Sequence, residues 1–383
     1  MLKHVRKSLV IWIALVMILS ACASDDTGGT TEAPGTTEAP ADTGTPATTE
    51  APTTTEAPAT TEPAELRHVT LQIYEGATTS LFAQIGVDKG FYADHGLDVE
   101  LVAVGSGPDG AAALASGSLD FAMTNFDVIM LAKDAGVDAA AIIGTENRQS
   151  FAMTARSDLP LPNLDKGFPE ALQDLRGKLI GVIARGSGNE RMARLLFEEA
   201  GIDPDEQEYV AVGGPGTAIA AFETKQVDAN FGFVPFPELM ELTGQGVTVV
   251  DCRRDECGPR LSTLGCAWQA VYVTWEDVNG DPELIQQYVD AHTEIFNWMK
   301  DPNNREDVME VVLNRYTPPE GVDAVEYANA VLDTQLTAAG LISAPEGVEL
   351  WNEILVSTGE LSEPIDPENL LAPTTVQECP FGG

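Results

Sequence analysis

The chain has 383 residues, with 21 Lys and Arg against 60 Asp and Glu, a formal net charge of -39. So acidic a surface argues against nucleic acid as a partner, because phosphates need a basic face. It leaves small ligands open, since a few local donors can bind an anion inside an acidic protein.

Met1 to Lys7 carries Lys3, Arg6 and Lys7 ahead of an apolar run, Leu9 to Leu19, that ends in Leu-Ser-Ala-Cys at 19–22. This reads as a signal peptide over 1–21, too short to span a bilayer as a helix. The last four residues resemble the bacterial lipobox, which implies cleavage before Cys22 and lipidation of that residue. From Ala23 to Glu65 there is no aromatic, no Lys and no Arg, and Thr-Thr-Glu-Ala-Pro recurs at 30–34, 36–40, 48–52 and 54–58. Such a segment cannot build a core, and its prolines and repelling glutamates favour a semi-extended spacer.

The remaining residues, 66–383, exceed what one hydrophobic core usually serves and suggest two lobes. Val69–Tyr74 alternates as a strand, Gly76–Thr79 is a loop, and Ser80–Lys89 has helical spacing closed by Gly90. Strand, short polar loop and helix then recur through Leu97–Val104, Gly105–Pro108, Asp109–Ser116 and Leu119–Met123. This alternation predicts an open α/β sheet with its loops gathered at one edge. Phe151–Ala155 looks like a strand leaving the first lobe.

A second series follows, with strands at Lys178–Ile183, Glu208–Val212, Ala229–Phe233 and Val247–Asp251 and helices at Glu190–Ala200 and Thr217–Lys225. After the strand Trp268–Val273 only helices are expected, at 284–299, Glu306–Tyr316, Ala324–Ala339 and Val348–Thr358. His292 sits on an apolar helical face, where a core role is expected.

Three passages carry a family resemblance: Lys89-Gly-Phe-Tyr-Ala-Asp-His-Gly-Leu-Asp-Val-Glu100, Ala113-Leu-Ala-Ser-Gly-Ser-Leu-Asp-Phe-Ala122, and Leu175-Arg-Gly-Lys-Leu-Ile-Gly-Val182. A fourth, Ala220–Ala229, looks like the family's second helix, turn and Asp-Ala unit. The chain thus resembles periplasmic solute-binding proteins of the nitrate, sulfonate, taurine and thiamine-precursor type.

The resemblance implies an α/β, two-lobed periplasmic binding protein fold of type II, with a helical C-terminal part packed on the first lobe and ligand bound between the lobes by hinge closure. The lobes would comprise 66–155 with 265–383, and 156–264, with crossings near Ala152–Arg156 and Ser262–Ala267. It also implies a monomer, lipid-anchored outside the cytoplasm, that passes a small solute to the permease and ATPase of an ABC importer. No cofactor is expected. An enzyme of the thiamine-pyrimidine synthase type is the competing function, but the Cys-rich motif of those relatives has no counterpart near the expected pocket.

Loops that follow parallel strands and open helices present free N–H groups and a positive dipole end. Four stand out: Gly76–Ser80, Gly105–Gly107, Thr124–Asp127 and Arg185–Asn189. By position in the family they would face the cleft, which nominates Thr79, Ser80, Ser106, Asn125 and Ser187 as polar contacts and Arg185 as the cation for an anionic ligand. The plain alternative is that the serines cap helices. The cluster Phe231–Phe236, ending in Phe236, together with Tyr74, Phe126 and Trp268 offers stacking faces to a planar ligand, with core packing the alternative for each. One cation at these loops favours a planar or heterocyclic solute, such as a pyrimidine, over an alkanesulfonate, taurine or nitrate.

Apart from Cys22 the cysteines are Cys252, Cys257, Cys266 and Cys379, an even number in an exported chain, so disulfides are expected. Of the three possible connectivities, Cys252–Cys257 with Cys266–Cys379 is favoured, because a short gap suits a local loop and the C-terminal tail otherwise lacks an anchor. A metal site would want ligands at close spacing, yet His68, His95 and His292 are scattered.

Overall fold

The computed structural model describes residues 65–254, 256–376 and 378–379. The expected signal peptide, the lipidation site Cys22 and the spacer up to residue 64 lie outside them.

The first strands are β1 (Arg67–Ile73), β2 (Leu97–Ala103), β3 (Ala122–Asn125) and β4 (Ala139–Glu146). β1 and β2 pair in parallel, Val69 opposite Val99. Between them the helix Leu81–Asp88 buries Leu81, Phe82 and Ile85, and Gly90 follows with φ 84°, a left-handed turn that suits glycine. A parallel bridge from Leu71 to Phe121 carries β1 on to the segment entering β3. The expected strand at Leu119–Met123 therefore lies slightly later, over Ala122–Asn125.

The second group is β5 (Phe151–Arg156), β6 (Leu179–Val182), β7 (Glu208–Ala211), β8 (Ala229–Phe233) and β9 (Gly246–Asp251). They form one sheet in the order β7-β6-β8-β5-β9, with β6 parallel to both β7 and β8 and β5 antiparallel to β8 and β9. The sequence reading put β5 at the end of the first lobe. Its ladder with Phe231 and Val250 instead places it inside the five-stranded sheet.

β10 (Gln269–Thr274) then returns between β3 and β4, antiparallel to both. Beyond it come helices, among them Pro282–Lys300, Arg305–Arg315, Ala324–Ala338 and Pro345–Ser357. The apolar face of Pro282–Lys300 stacks Tyr288 on Phe121 at 4.3 Å, and His292 lies edge-on to Phe82 at 4.3 Å. Burial there pushes His292 down to about 3, so it is a neutral core residue. Trp351 stacks on Trp268 and donates its indole N–H to Ala267 O at 2.7 Å, tying the last long helix to the entrance of β10.

Cys266 is bonded to Cys379, with their Cα atoms 5.4 Å apart. The other expected bridge is not formed in this structure. Cys252 and Cys257 are buried thiols in hydrogen-bonding contact, and burial holds the Cys252 thiol well above its usual range.

Candidate functional site

The carboxyl ends of β1, β2, β3, β6, β7 and β8 converge on a cavity of about 360 Å³, walled from the β1–β2 pair, the three-stranded sheet β3-β10-β4 and the five-stranded sheet. Edges of parallel strands that open into helices have unbonded N–H groups to offer, so this is where an α/β sheet can hold a ligand. The volume lies within the range of small-molecule pockets.

One wall is aromatic. Phe151, at the start of β5, packs on Phe231, Trp268 and Phe233, and both it and Phe233 line the cavity. Tyr74 lines the facing side. Its hydroxyl is desolvated and held by Thr124 and Gln72, and burial pushes it up to about 12, so it stays a neutral phenol at physiological pH.

The other wall is polar, and each group has a defined amount of hydrogen bonding left to offer. Ser106 caps the helix Gly107–Ala115, accepting from Asp109 N and donating to its carboxylate at 2.6 Å. Ser187 caps Gly188–Glu199 and donates to Ala184 O at 2.7 Å. Asn189 is consumed between Ile183 N and Phe231 O. The loop serines therefore shape the cavity while their hydroxyl protons are spent on the fold.

Asn125 differs. Its Oδ1 accepts from Gln269 Nε2 at 3.2 Å, and Gln269 Oε1 in turn accepts from Thr145, which leaves the Asn125 amide protons for a solute. Thr79 lines the cavity with a buried hydroxyl that has no partner. An unpaired buried hydroxyl costs about 1–3 kcal/mol, which a ligand hydrogen bond would offset.

Of the nine candidates from the sequence, Tyr74, Thr79, Ser106, Asn125 and Ser187 line this cavity. The other four do not. Ser80 is fully buried beneath the loop, its Oγ accepting from Tyr74 N at 2.9 Å. Phe126 is a core residue edge-on to Tyr272, and Phe236 is one against Phe222.

Arg185 turns to the outer side of its loop, where Tyr209 O at 2.8 Å and Glu190 at 3.1 Å hold the guanidinium. Among the described residues, the charged one that lines the cavity is Glu75, and no cationic side chain lines it.

Phe233 belongs to the aromatic cluster expected from sequence, whereas Phe151, Ser150 and Gln269 were not expected as contacts. Gln269 had a signal, a lone amide inside the apolar strand Trp268–Val273. Ser150 immediately precedes β5 and Phe151 begins it, so the rule of loops that lead from strands into helices passes over them.

Ser150 Oγ donates to Glu146 at 2.6 Å and accepts from Trp268 Nε1 at 3.1 Å. Glu146 is fully buried and also accepts from Gln335 at 2.9 Å. Desolvation raises its pKa, against these hydrogen bonds, which favour the charged form. Among the described residues no group of His, Cys, Asp and Glu could hold a metal ion, and no helix is long and apolar enough to cross a membrane.

Residues 78–304 match the NMT1/THI5-like family. A Brucella abortus strain 2308 chain named "Putative binding protein" is 32% identical over 151 residues, which are 39% of this chain and 43% of that one. The match thus spans less than half the length of that relative. Among solved structures, one from Bordetella bronchiseptica RB50 superposes with a TM-score of 0.66 at 19% identity, covering 82% of this chain and 96% of the other. The alkanesulfonate-binding protein SsuA of Xanthomonas axonopodis pv. citri, bound to MOPS, gives 0.64 at 16%, covering 81% and 99%. The shared architecture is the α/β fold of periplasmic binding proteins.

Proposed function

Because the chain belongs to the NMT1/THI5-like family, we propose that it is an extracytoplasmic binding protein that captures one small organic solute in this cavity and delivers it to an ABC importer. The observation that carries the reading is the make-up of the walls. Phe151, Phe233 and Tyr74 provide flat apolar faces, Asn125 and Thr79 provide neutral hydrogen-bonding groups, and no cationic side chain among the described residues lines the space. Such walls favour an uncharged planar or heterocyclic solute.

Capture without catalysis fits the same walls, since the loop serine hydroxyls are bound into helix caps. The lipobox-like residues before Cys22 support anchoring to the membrane.

The second reading is an anionic sulfonate or nitrate. It is favoured by the likeness to the alkanesulfonate-binding structure and by the two helices that open onto the cavity at Gly107 and Gly188. Calorimetric titration with neutral heterocycles and with alkanesulfonates and nitrate decides between them. Tight binding of an anion and none of the heterocycles would overturn the first reading.

A further inference from the structure

Asn125 and Ser187 reach the cavity from different sheets, and a charge cluster centred on a buried ion pair lies behind both. Asp127, fully buried on the first turn of the helix Phe126–Asp134, pairs with Arg191 of the helix Gly188–Glu199. The same guanidinium donates through Nε to Glu360 at 2.8 Å, just beyond the helix Pro345–Ser357. Arg191 is 8% exposed. The approach is so close that a Cβ on Gly188 would overlap the Asp127 carboxylate, so only glycine fits where the two loops meet.

Burying these charges is not explained by stability. An isolated buried ion pair roughly breaks even with an apolar replacement, because desolvation offsets the attraction. Asp127 also keeps one buried oxygen, Oδ1, without a partner. What the pair does supply is a directional link with one correct geometry. Arg191 presents separate donors to two carboxylates, and Asp127 opens the helix that follows β3 of the three-stranded sheet while Arg191 lies on the helix that follows β6 of the five-stranded one.

We propose that Asp127, Arg191 and Glu360 are positioning residues of the solute site, a clasp that holds the wall containing Asn125 against the wall containing Ser187 and Gly188. The role as a solute site rests on the function proposed above. The clasp itself does not require that the solute be known.

The test is hydrogen–deuterium exchange of the full chain, freed of solute by unfolding and refolding without reductant, for wild type, Arg191→Met, Arg191→Lys and Glu360→Gln. Arg191→Met is expected to raise exchange about tenfold or more in the cavity loops at 103–108, 124–128 and 183–190. The β1–β2 ladder should stay protected. Arg191→Lys keeps the charge and should recover part of the protection, and Glu360→Gln should show a smaller rise in the same loops. Should Arg191→Met fail to fold, Glu360→Gln carries the test, since Glu360 is partly exposed.

Unchanged exchange in those loops, or a rise spread evenly over the chain, overturns the clasp. Every arm is read without solute, so that result leaves the binding function standing. Conversely, local release of the loops together with no solute bound by the wild type would retain the clasp and remove the function.

Discussion

Ser150 donates its hydroxyl proton to the buried carboxylate of Glu146 across the short segment where the chain passes from β4 to β5. The bond joins the end of one sheet to the beginning of the other, and Ser150 also lines the cavity. Replacing Glu146 with Ala leaves the Ser150 and Gln335 donors buried without an acceptor, a cost of about 1–3 kcal/mol for each group. Thermal unfolding of Glu146→Ala against wild type measures it.

The pH response of the same residue has a definite sign. Glu146 has its pKa raised in the folded protein, so folding favours the protonated form, and its contribution is fully present below the unfolded carboxylate value and lost as pH rises through the folded one. Glu146→Gln cannot lose a proton there. The Tm of Glu146→Gln relative to wild type should therefore rise as pH increases from about 4 towards neutrality.

His292 behaves in the opposite sense. Its pKa is pushed down to about 3 by burial, so the stability that comes from keeping it neutral is whole above about pH 6.5 and is lost as pH falls towards 3. His292→Phe should flatten the acid limb of a Tm-against-pH curve. An unchanged acid limb would remove His292 from the account.

Within the cavity, Phe233→Ala and Asn125→Ala should each weaken the solute that co-purifies with the protein by about tenfold, the scale of one ring contact or one ligand hydrogen bond. Arg185→Ala should leave affinity unchanged, because its guanidinium is bound to Glu190 and Tyr209 on the outer side. Calorimetry on the three variants checks the contrast. Loss of binding in Arg185→Ala alone would return the anionic reading to first place.

Cys252 and Cys257 are almost wholly buried thiols, so a thiol reagent should not reach either in the folded protein and should label both after unfolding without reductant. Cys266→Ser, which removes a link across 113 residues of sequence, should cost roughly 2–5 kcal/mol. Peptide mapping of the labelled protein separates the two pairs.

How far these features were readable from sequence differs between the fold and the site. The helix Pro282–Lys300 follows from periodicity, because it buries one regular face, whereas β5, β8 and β10 are buried at nearly every residue and showed as short apolar runs. The fully buried β4 lacks alternation and has no counterpart among the elements expected from sequence. At the site, the loops could be placed because a strand-to-helix connection makes them. The direction of individual side chains could not.

Arg185 sits in an expected loop and Phe236 opens the helix Phe236–Leu242, yet Glu190 turns one outward and Phe222 draws the other inward. Gln269 and Ser150 face the cavity only because β10 and β5 are threaded between other strands, a long-range pairing that no local pattern encodes.

That threading also bears on how the gene product could be rearranged. Glu146 and Gln269 are opposite one another in the antiparallel pairing of β4 with β10, although 123 positions separate them along the chain. The two strands are thus already placed as a hairpin, and everything between them is a module inserted at its tip. A short turn joining β4 directly to β10 would excise that module with the neighbouring backbone ladder left in register.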